Sequence, residues 1–183
     1  VEKIAGQAAG SAARADLRTA LGIGSDDVMV YFLGRLSYYD KAFPQAMIKA
    51  VQAAGRRTGV TTHFVMTGWF PEGPKDRRMF EEVVSAYAPG LSVTFLDGND
   101  PVVVGQCWAA ADIFLLLSDT ILETFGQALV EAMAAGVPVV VSDWDGYRSI
   151  VRDGREGFLV PTMGAPSGAL GESLALLPAT GMI

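Results

Sequence analysis

The stretch "DIFLLLSDTILETFGQALVEAMAAGVPVVVSD", residues 112–143, decides the fold of this chain. It begins with an apolar run typical of a buried strand and ends with another, VPVVVSD. The segment between them, GQALVEAMAAG, is predicted to form a helix. A strand, a helix and a second strand in this order predict a βαβ unit with parallel strands. Glu123 and Glu131 lie eight positions apart inside this unit, and carboxylates so close to a core need partners.

The same alternation of apolar strands and helices runs through the rest of the chain. Short apolar strands joined by helical crossovers predict a parallel sheet that is covered by helices on both faces. We therefore predict an α/β fold, a Rossmann-like doubly wound parallel sheet of about six strands, in one domain over residues 1–183. A weak helix is predicted at residues 168–177. The predicted strands lie at residues 28–34, 61–68, 91–98, 112–118, 137–143 and 157–161.

The composition excludes several classes of protein. The chain has 183 residues, of which 50% are hydrophobic, so it can form one folded core. Its net charge of -6 argues against non-specific nucleic-acid binding. The single cysteine, Cys107, excludes an internal disulfide and a cysteine metal cluster, and it fits a reducing cytoplasm.

The sequence has neither a membrane span nor the apolar segment of a signal peptide. No apolar run reaches the roughly 18 residues that a span needs. The first residues, VEKIAGQAAGSAARADLRTALGI, are too polar for a signal peptide and do not begin with Met. We therefore expect a fragment or a trimmed chain.

The expected strand order locates a ligand crevice. In a doubly wound sheet of order 3-2-1-4-5-6, the order reverses between the first and fourth strands, and ligands bind beyond the carboxyl ends of the strands at that point. The loop after the first strand is RLSYYDK, and the loop after the fourth strand is SDTILETFG. We expect these two loops to face each other across one crevice.

The residue types of the two loops favour a diphosphate ligand. Arg35 and Lys41 place two cations in one loop, and both side chains bind phosphate oxygens. In the other loop a helix is predicted to begin near Thr124 to Gly126, so its first N–H groups and the positive end of its dipole would face the ligand. Gly126 allows close approach to the backbone. These groups together would hold a diphosphate without a metal.

The two glutamates favour a ligand that carries hydroxyl groups. Glu131 lies among apolar residues of the predicted helix, where an unpaired carboxylate is costly. Sugar hydroxyls that donate to it would offset that cost. Glu123 precedes the helix and would orient another hydroxyl. If the helix starts after Glu123, the two carboxylates can hold opposite ends of an extended ligand.

Four segments resemble the retaining GT-B glycosyltransferases, in particular glycosyltransferase family 4, also called glycosyl transferases group 1. ETFGQALVEAMAAGVPVVVSD is similar to the E-x(7)-E segment of that family, and FLGRLSYYDKA is similar to its Gly-Arg and Lys after the first strand. AADIFLLLSDT and VRDGREGFLVP also match in the family's order. The resemblance runs from about Leu17 to Pro161. It implies the C-terminal domain, which binds the nucleotide-sugar donor and forms one half of a GT-B fold.

The resemblance also implies roles for particular residues. Arg35 and Lys41 would bind the donor diphosphate and stabilise the leaving group, and Glu123 would contact hydroxyls of the donor sugar. Glu131 would accept hydrogen bonds from the ribose. Backbone N–H groups at Phe125 and Gly126 would meet phosphate or sugar. Independently of the resemblance, the position of Gly98 and Asn99 after the third strand favours backbone contacts with the base. The implied catalytic residues are Arg35, Lys41 and Glu123, and the implied donor-binding residues are Gly34, Gly98, Thr124, Phe125, Gly126 and Glu131.

The chain also departs from the family pattern. Ala42 replaces the usual glycine after Lys41, TGWFPEG stands where a glycine-rich turn often follows the second strand, and DGYRS replaces Gly-Gly-x-Pro-Glu. The N-terminal acceptor domain of the complete enzyme is missing, so we expect this chain to bind a donor without transferring the sugar.

The expected ligands and location follow from the same resemblance. Neither a cofactor nor a metal is implied, because the nucleotide-diphosphate sugar is a substrate. The expected partners are that nucleotide-sugar and the missing N-terminal domain, with no nucleic acid. The expected location is cytoplasmic, and peripheral membrane association of the full-length enzyme is left open.

Other functions and purely structural roles fit parts of the sequence less well or equally well. An NAD-dependent oxidoreductase needs G-x-G-x-x-G after the first strand, and this loop has only Gly34. A response-regulator receiver needs acids at the end of that strand, whereas Asp26 and Asp27 precede it. A GT-B sugar-nucleotide epimerase domain or a non-catalytic nucleotide-sugar-binding module is left open. A structural role is predicted for His63, Cys107 and Trp108, and a turn or cap role for Asp112.

Overall fold

Six parallel strands form one sheet in the order β3-β2-β1-β4-β5-β6. The computed structural model describes residues 10–38, 41, 43–120, 123 and 125–163; the predicted helix at 168–177 lies outside them. The strand order reverses between β1 and β4, so the predicted doubly wound sheet and its order are confirmed. The strands are β1 Val28–Leu33, β2 Thr62–Gly68, β3 Ser92–Asp97, β4 Ile113–Leu116, β5 Val139–Ser142 and β6 Gly157–Val160.

Local sequence signals set the helix boundaries. Three helices have proline in their first turn, where the missing N–H costs nothing. The Asp100 side chain accepts hydrogen bonds from the N–H groups of Val102 and Val103 and so caps α4. Gly59 ends α2 in the left-handed conformation. The helices are α1 Ser11–Ala20, α2 Pro44–Thr58, α3 Pro74–Tyr87, α4 Pro101–Ala110, α5 Gln127–Ala134 and α6 Tyr147–Ile150.

The core lies on both faces of the central strands. β1 is buried at every residue from Met29 to Phe32. Successive side chains of a strand point to opposite faces of the sheet, so both faces of β1 are buried, as is typical of a strand covered by helices on both sides. On one face the ring of Tyr31 meets the ring of Trp108 edge-on, with the ring centres 4.7 Å apart. Cys107 is fully buried beside this pair, and burial raises the pKa of its thiol to about 11. The predicted packing role of Cys107 and Trp108 is confirmed.

A cluster of charges around Asp112 stabilises the end of the sheet where the strands begin, which is called the amino edge below. Its carboxylate pairs with Arg14 at 2.5 Å and with Arg18 at 2.8 Å, both from α1, and accepts the Met29 N–H at 2.8 Å. Burial alone would raise the pKa of Asp112, but the Met29 N–H and the two guanidinium groups outweigh it and lower the pKa. The predicted turn or cap role was therefore wrong. Asp112 is the ion-pair centre that fastens α1 to the sheet.

His63 also lies at the amino edge. Its ring nitrogen is 3.1 Å from the Asp27 carboxylate, which agrees with a structural role on the side opposite the predicted crevice. Among the described residues, no helix is both long enough and apolar enough to cross a membrane.

Candidate functional site

The two loops predicted to converge meet through an ion pair between Lys41 and Glu123. Lys41 Nζ, in the loop after β1, contacts Glu123 Oε2, in the loop after β4. β1 and β4 are neighbours, with Val30 paired to Ile113, so their carboxyl ends open into the same crevice. The predicted convergence is confirmed. Glu123 is only 7% exposed, so its charge needs a partner inside the protein, and Lys41 provides that partner.

The other oxygen of Glu123 receives a backbone hydrogen bond. The Gly126 N–H donates to Glu123 Oε1 at 3.0 Å, so both carboxylate oxygens have partners within the protein. We had expected this N–H to meet phosphate or sugar, and the structure instead directs it to Glu123. The helix begins at Gln127, just after the predicted start, with Gly126 as its N-cap. Thr124 lies outside the described residues.

Gly126 is required by its backbone and by its neighbour. Its φ of +76° lies in the left-handed region, which side chains disfavour. A Cβ on Gly126 would also lie 2.4 Å from Cε1 of Tyr147. Tyr147 is fully buried; burial raises the pKa of its hydroxyl, and an interaction with Ser118 partly opposes that rise. Tyr147 therefore leaves no room for a side chain at position 126, three residues after Glu123.

A second brace comes from the turn after β5. The Trp144 side chain donates from Nε1 to the Thr120 carbonyl at 3.1 Å, which ties this turn to the loop after β4. Asp143, which follows the same strand, is held by Arg148 at 2.6 Å. Neither Tyr147 nor Trp144 was predicted from the sequence as part of the site. The only signal was the unusual text DGYRS at this turn.

The cations of the first loop share one electrostatic environment. Burial lowers the pKa of Lys41, and the nearby positive charge of Arg35 lowers it further. A Cβ on Gly34 would lie 3.5 Å from Cε of Lys41, so Gly34 provides the bare backbone beside that side chain. Two cations at one strand end form a site that attracts an anion. Within the described residues, no three His, Cys, Asp or Glu side chains are arranged to hold a metal ion.

Three glycines form a glycine floor at the carboxyl ends of β1, β2 and β3: Gly34, Gly68 and Gly98. The Gly98 N–H donates to the Gly68 carbonyl at 3.0 Å. A Cβ on Gly68 would lie 1.9 Å from the Gly34 carbonyl oxygen, and one on Gly98 would lie 2.6 Å from the Gly68 Cα. The backbones at Gly68 and Gly98 are therefore packed too closely against their neighbours for side chains, whereas a Cβ on Gly34 would meet only side-chain atoms, the nearest being Phe32 Cζ at 3.2 Å. Gly68 was not predicted as a site residue, although three consecutive predicted strands all end in glycine.

Glu131 lies on α5 in a different environment from Glu123. It is half-buried, and the Gln127 side chain approaches it at 3.4 Å. Burial raises the pKa of Glu131, and the contact with Gln127 opposes this only in part. The two glutamates have different partners, as expected of groups that hold different parts of a ligand, but their roles remain predictions. Phe125, between them, is 60% exposed.

The fold is that of known GT-B glycosyltransferases. The Anabaena Alr3699/HepE protein, solved in complex with UDP and glucose, superposes with a TM-score of 0.69 at 22% identity, over 94% of this chain and 44% of that one. Sucrose-phosphate synthase from Thermosynechococcus elongatus superposes with a TM-score of 0.62 at 28% identity, over 90% of this chain and 39% of that one.

Residues 13–172 match the family Glycosyl transferases group 1, and the chain belongs to this family. It is 34% identical over 149 residues to a D-inositol 3-phosphate glycosyltransferase of Nocardia farcinica, covering 80% of this chain and 32% of the relative. It is 40% identical over 99 residues to a phosphatidyl-myo-inositol mannosyltransferase of Mycobacterium leprae, covering 53% of this chain and 26% of that relative. The chain thus spans about a third or less of the length of these curated relatives.

Proposed function

We propose that this chain is the donor-binding domain of a retaining glycosyltransferase and binds a nucleotide-diphosphate sugar. The observation that carries the proposal is the contact of Lys41 with Glu123 at the point where the strand order reverses. In a doubly wound sheet, that is where ligands bind. Membership of the family supplies the substrate class.

In this proposal, Arg35 and Lys41 bind the diphosphate and the start of α5 faces it. The ion pair with Glu123 holds the Lys41 ammonium in place before the donor binds. When the donor arrives, the same ammonium also contacts its phosphate. When the bond between sugar and phosphate breaks, negative charge grows on the diphosphate. Fixed cations in a water-poor crevice stabilise that charge and thereby the leaving group.

The two carboxylates accept hydrogen bonds from hydroxyl groups at different ends of the donor. Glu131 accepts from the ribose, and the donated hydrogen bonds offset the cost of its half-buried charge. Glu123 is already oriented by the Gly126 N–H and by Lys41. It contacts the donor sugar through the lone pairs that these partners leave open.

Transfer itself requires a second domain in the full-length enzyme. That domain carries the acceptor site, so the isolated chain binds the donor without transferring the sugar. The relatives carry inositol 3-phosphate and phosphatidyl-myo-inositol in their names, and these compounds are the first acceptors to test. We further propose that the reaction runs in the cytoplasm and needs no metal, because Arg35 and Lys41 neutralise the diphosphate.

Calorimetric titration with a panel of UDP-, GDP- and ADP-sugars tests the proposal. We expect one donor to bind, without added metal and in the presence of EDTA. Lys41→Ala and Glu131→Ala should each weaken binding about tenfold or more, as loss of a charged contact does. Lys75→Ala and Glu81→Ala, on the exposed face of α3, serve as controls. If none of the donors binds to the folded chain, the proposed function is wrong.

A further inference from the structure

We propose that Trp69 is the stacking platform for the nucleobase of the donor. This inference rests on the proposed function, because it concerns the same ligand. Trp69 follows Gly68 directly and its side chain is 47% exposed. A single exposed aromatic residue is common on protein surfaces, so the inference depends on how Trp69 is held and on what lies beside it.

The backbone of Trp69 is fixed from both sides. Its carbonyl accepts the Leu36 N–H at 2.9 Å, which ties it to the loop after β1. The next residue, Phe70, packs edge-on against Phe80 and Phe95, with ring centres 5.7 and 5.5 Å apart. An exposed indole on an anchored backbone loses little conformational entropy when a flat ligand binds to it.

The chain segments next to Trp69 are held by hydrogen bonds. Gly98, just after β3, donates to the carbonyl of Gly68, the residue before Trp69, so the turn after β3 begins beside the end of β2. Asp97 accepts hydrogen bonds from the backbone and side-chain N–H groups of Asn99 at 2.8 and 3.0 Å, which fixes this turn. Gly68 and Gly98 have no side chains, so neither adds bulk beside the backbone of Trp69.

The spacing fits a nucleoside diphosphate. Neighbouring strands lie about 4.8 Å apart, so the ends of β1 and β3 are separated by about 10 Å. The cation Lys41 follows β1, and Gly98 follows β3, with Trp69 between them at the end of β2. A diphosphate at Lys41 therefore places its nucleoside toward Trp69. Stacking accepts every base because each has a π face, so Trp69 adds affinity, while the backbone after β3 selects the base.

The test compares the binding of UDP, GDP and ADP with the binding of inorganic pyrophosphate, which has no base. In Trp69→Ala, the dissociation constant of the nucleotide that binds wild type should rise roughly 5- to 150-fold, as expected for loss of one stacked base. The affinity for pyrophosphate should stay unchanged. Trp69→Phe keeps an aromatic plane and should restore most of the nucleotide affinity. Phe158→Ala, an exposed aromatic residue on β6, is the matched control.

Three results would overturn this inference. Trp69→Ala could bind the nucleotide as tightly as wild type, it could lose pyrophosphate affinity to the same degree, or Trp69→Phe could be as weak as Trp69→Ala. In each case the wild type still binds the nucleotide, so the proposed function survives. A wild type that binds none of the three nucleotides would overturn both proposals. Circular dichroism of each variant confirms that it is folded.

Discussion

Lys41 and Glu123 form an ion pair that joins the carboxyl ends of β1 and β4, the two strands between which the sheet changes direction. Both side chains are largely withdrawn from water, at 22% and 7% exposed. Removing one partner would leave the other charge unpaired in a poorly hydrated place. The pair is therefore both part of the candidate site and a contributor to the stability of the crevice.

The first prediction is a strong energetic coupling between these two residues. Lys41→Met alone should lower the free energy of unfolding by about 2–3 kcal/mol, because it leaves the Glu123 carboxylate without a cation. The double variant with Glu123→Gln should recover part of that loss. Urea unfolding of the four proteins measures the coupling as a double-mutant cycle.

Arg77 and Glu81 supply the control for this cycle. They pair at 2.9 Å on α3, but both are about half exposed, so their coupling should stay below about 0.5 kcal/mol. If the losses of unfolding free energy at Lys41 and Glu123 are strictly additive, the contact between them does not stabilise the protein.

The second prediction separates the two reasons for glycine at position 126. Gly126→Ala suffers both from its positive φ and from the Tyr147 ring, whereas Gly22 has a similar φ of +67° with nothing within 4 Å of an added Cβ. Gly22→Ala should cost about 1 kcal/mol, and Gly126→Ala should cost at least about 1 kcal/mol more. Only Gly126→Ala should also weaken donor binding. Equal losses of stability on denaturation would argue against the Tyr147 contact.

The third prediction concerns the pH dependence that Glu131 imposes on stability. Burial raises its pKa in the folded chain above the unfolded value of about 4.3. Folding is therefore favoured by the protonated form, and this contribution is present below that value and lost as the pH rises through the folded pKa. Glu131→Gln should raise the melting temperature at pH 7 and have a smaller effect at pH 4.

An exposed acid provides the comparison for Glu131. Glu81→Gln removes a charge that is paired with Arg77 at the surface, and it should not increase stability at pH 7. A Glu131→Gln protein that melts below wild type at pH 7 would contradict the predicted cost of the buried charge.

The fourth prediction tests the opposite edge of the sheet. Asp112→Asn should destabilise the chain by about 3 kcal/mol at pH 7, because Arg18, only 6% exposed, loses its carboxylate partner. The folded pKa of Asp112 is lowered, so its contribution is present above the unfolded pKa of about 3.9 and lost as the pH falls through the folded value. The difference between the two proteins should therefore narrow at pH 3.5 in chemical denaturation.

Donor binding should be unchanged in folded Asp112→Asn, because the carboxylate lies at the amino edge. Asp16→Asn, at an exposed acid of α1, should change neither stability nor binding. A loss of donor affinity in Asp112→Asn would mean that the two edges are coupled.

The fold could be predicted because its determinants are local. Each strand is a short apolar run, and a helical segment separates each strand from the next, so the parallel arrangement follows from chain connectivity. The meeting of Lys41 and Glu123 was predictable for the same reason, since the strand order alone brings their loops together. The helix α5 begins at Gln127, just after the predicted start near Thr124 to Gly126, because Gly126 adopts the left-handed conformation and is therefore the N-cap.

Individual side-chain contacts that the strand order does not dictate could not be predicted. Asp112 bonds to Arg14 and Arg18, which precede it by 98 and 94 positions, and neither spacing carries a signal in the sequence. The orientation of Glu123 toward the Gly126 N–H depends on a side-chain rotamer that residue types do not determine. The contact between Tyr147 and Gly126 depends in the same way on the packing of two separate turns.

The glycine floor restricts how this protein can change. At Gly68 even a methyl group would collide with the carbonyl of the neighbouring strand, so substitution requires the strands themselves to separate. Selection for a different donor therefore has little freedom on the floor and must act on the segments that follow the three glycines, among them residues 35–38, 69–73 and 99–100. A mutational library intended to change donor preference should randomise these segments and leave Gly34, Gly68 and Gly98 untouched.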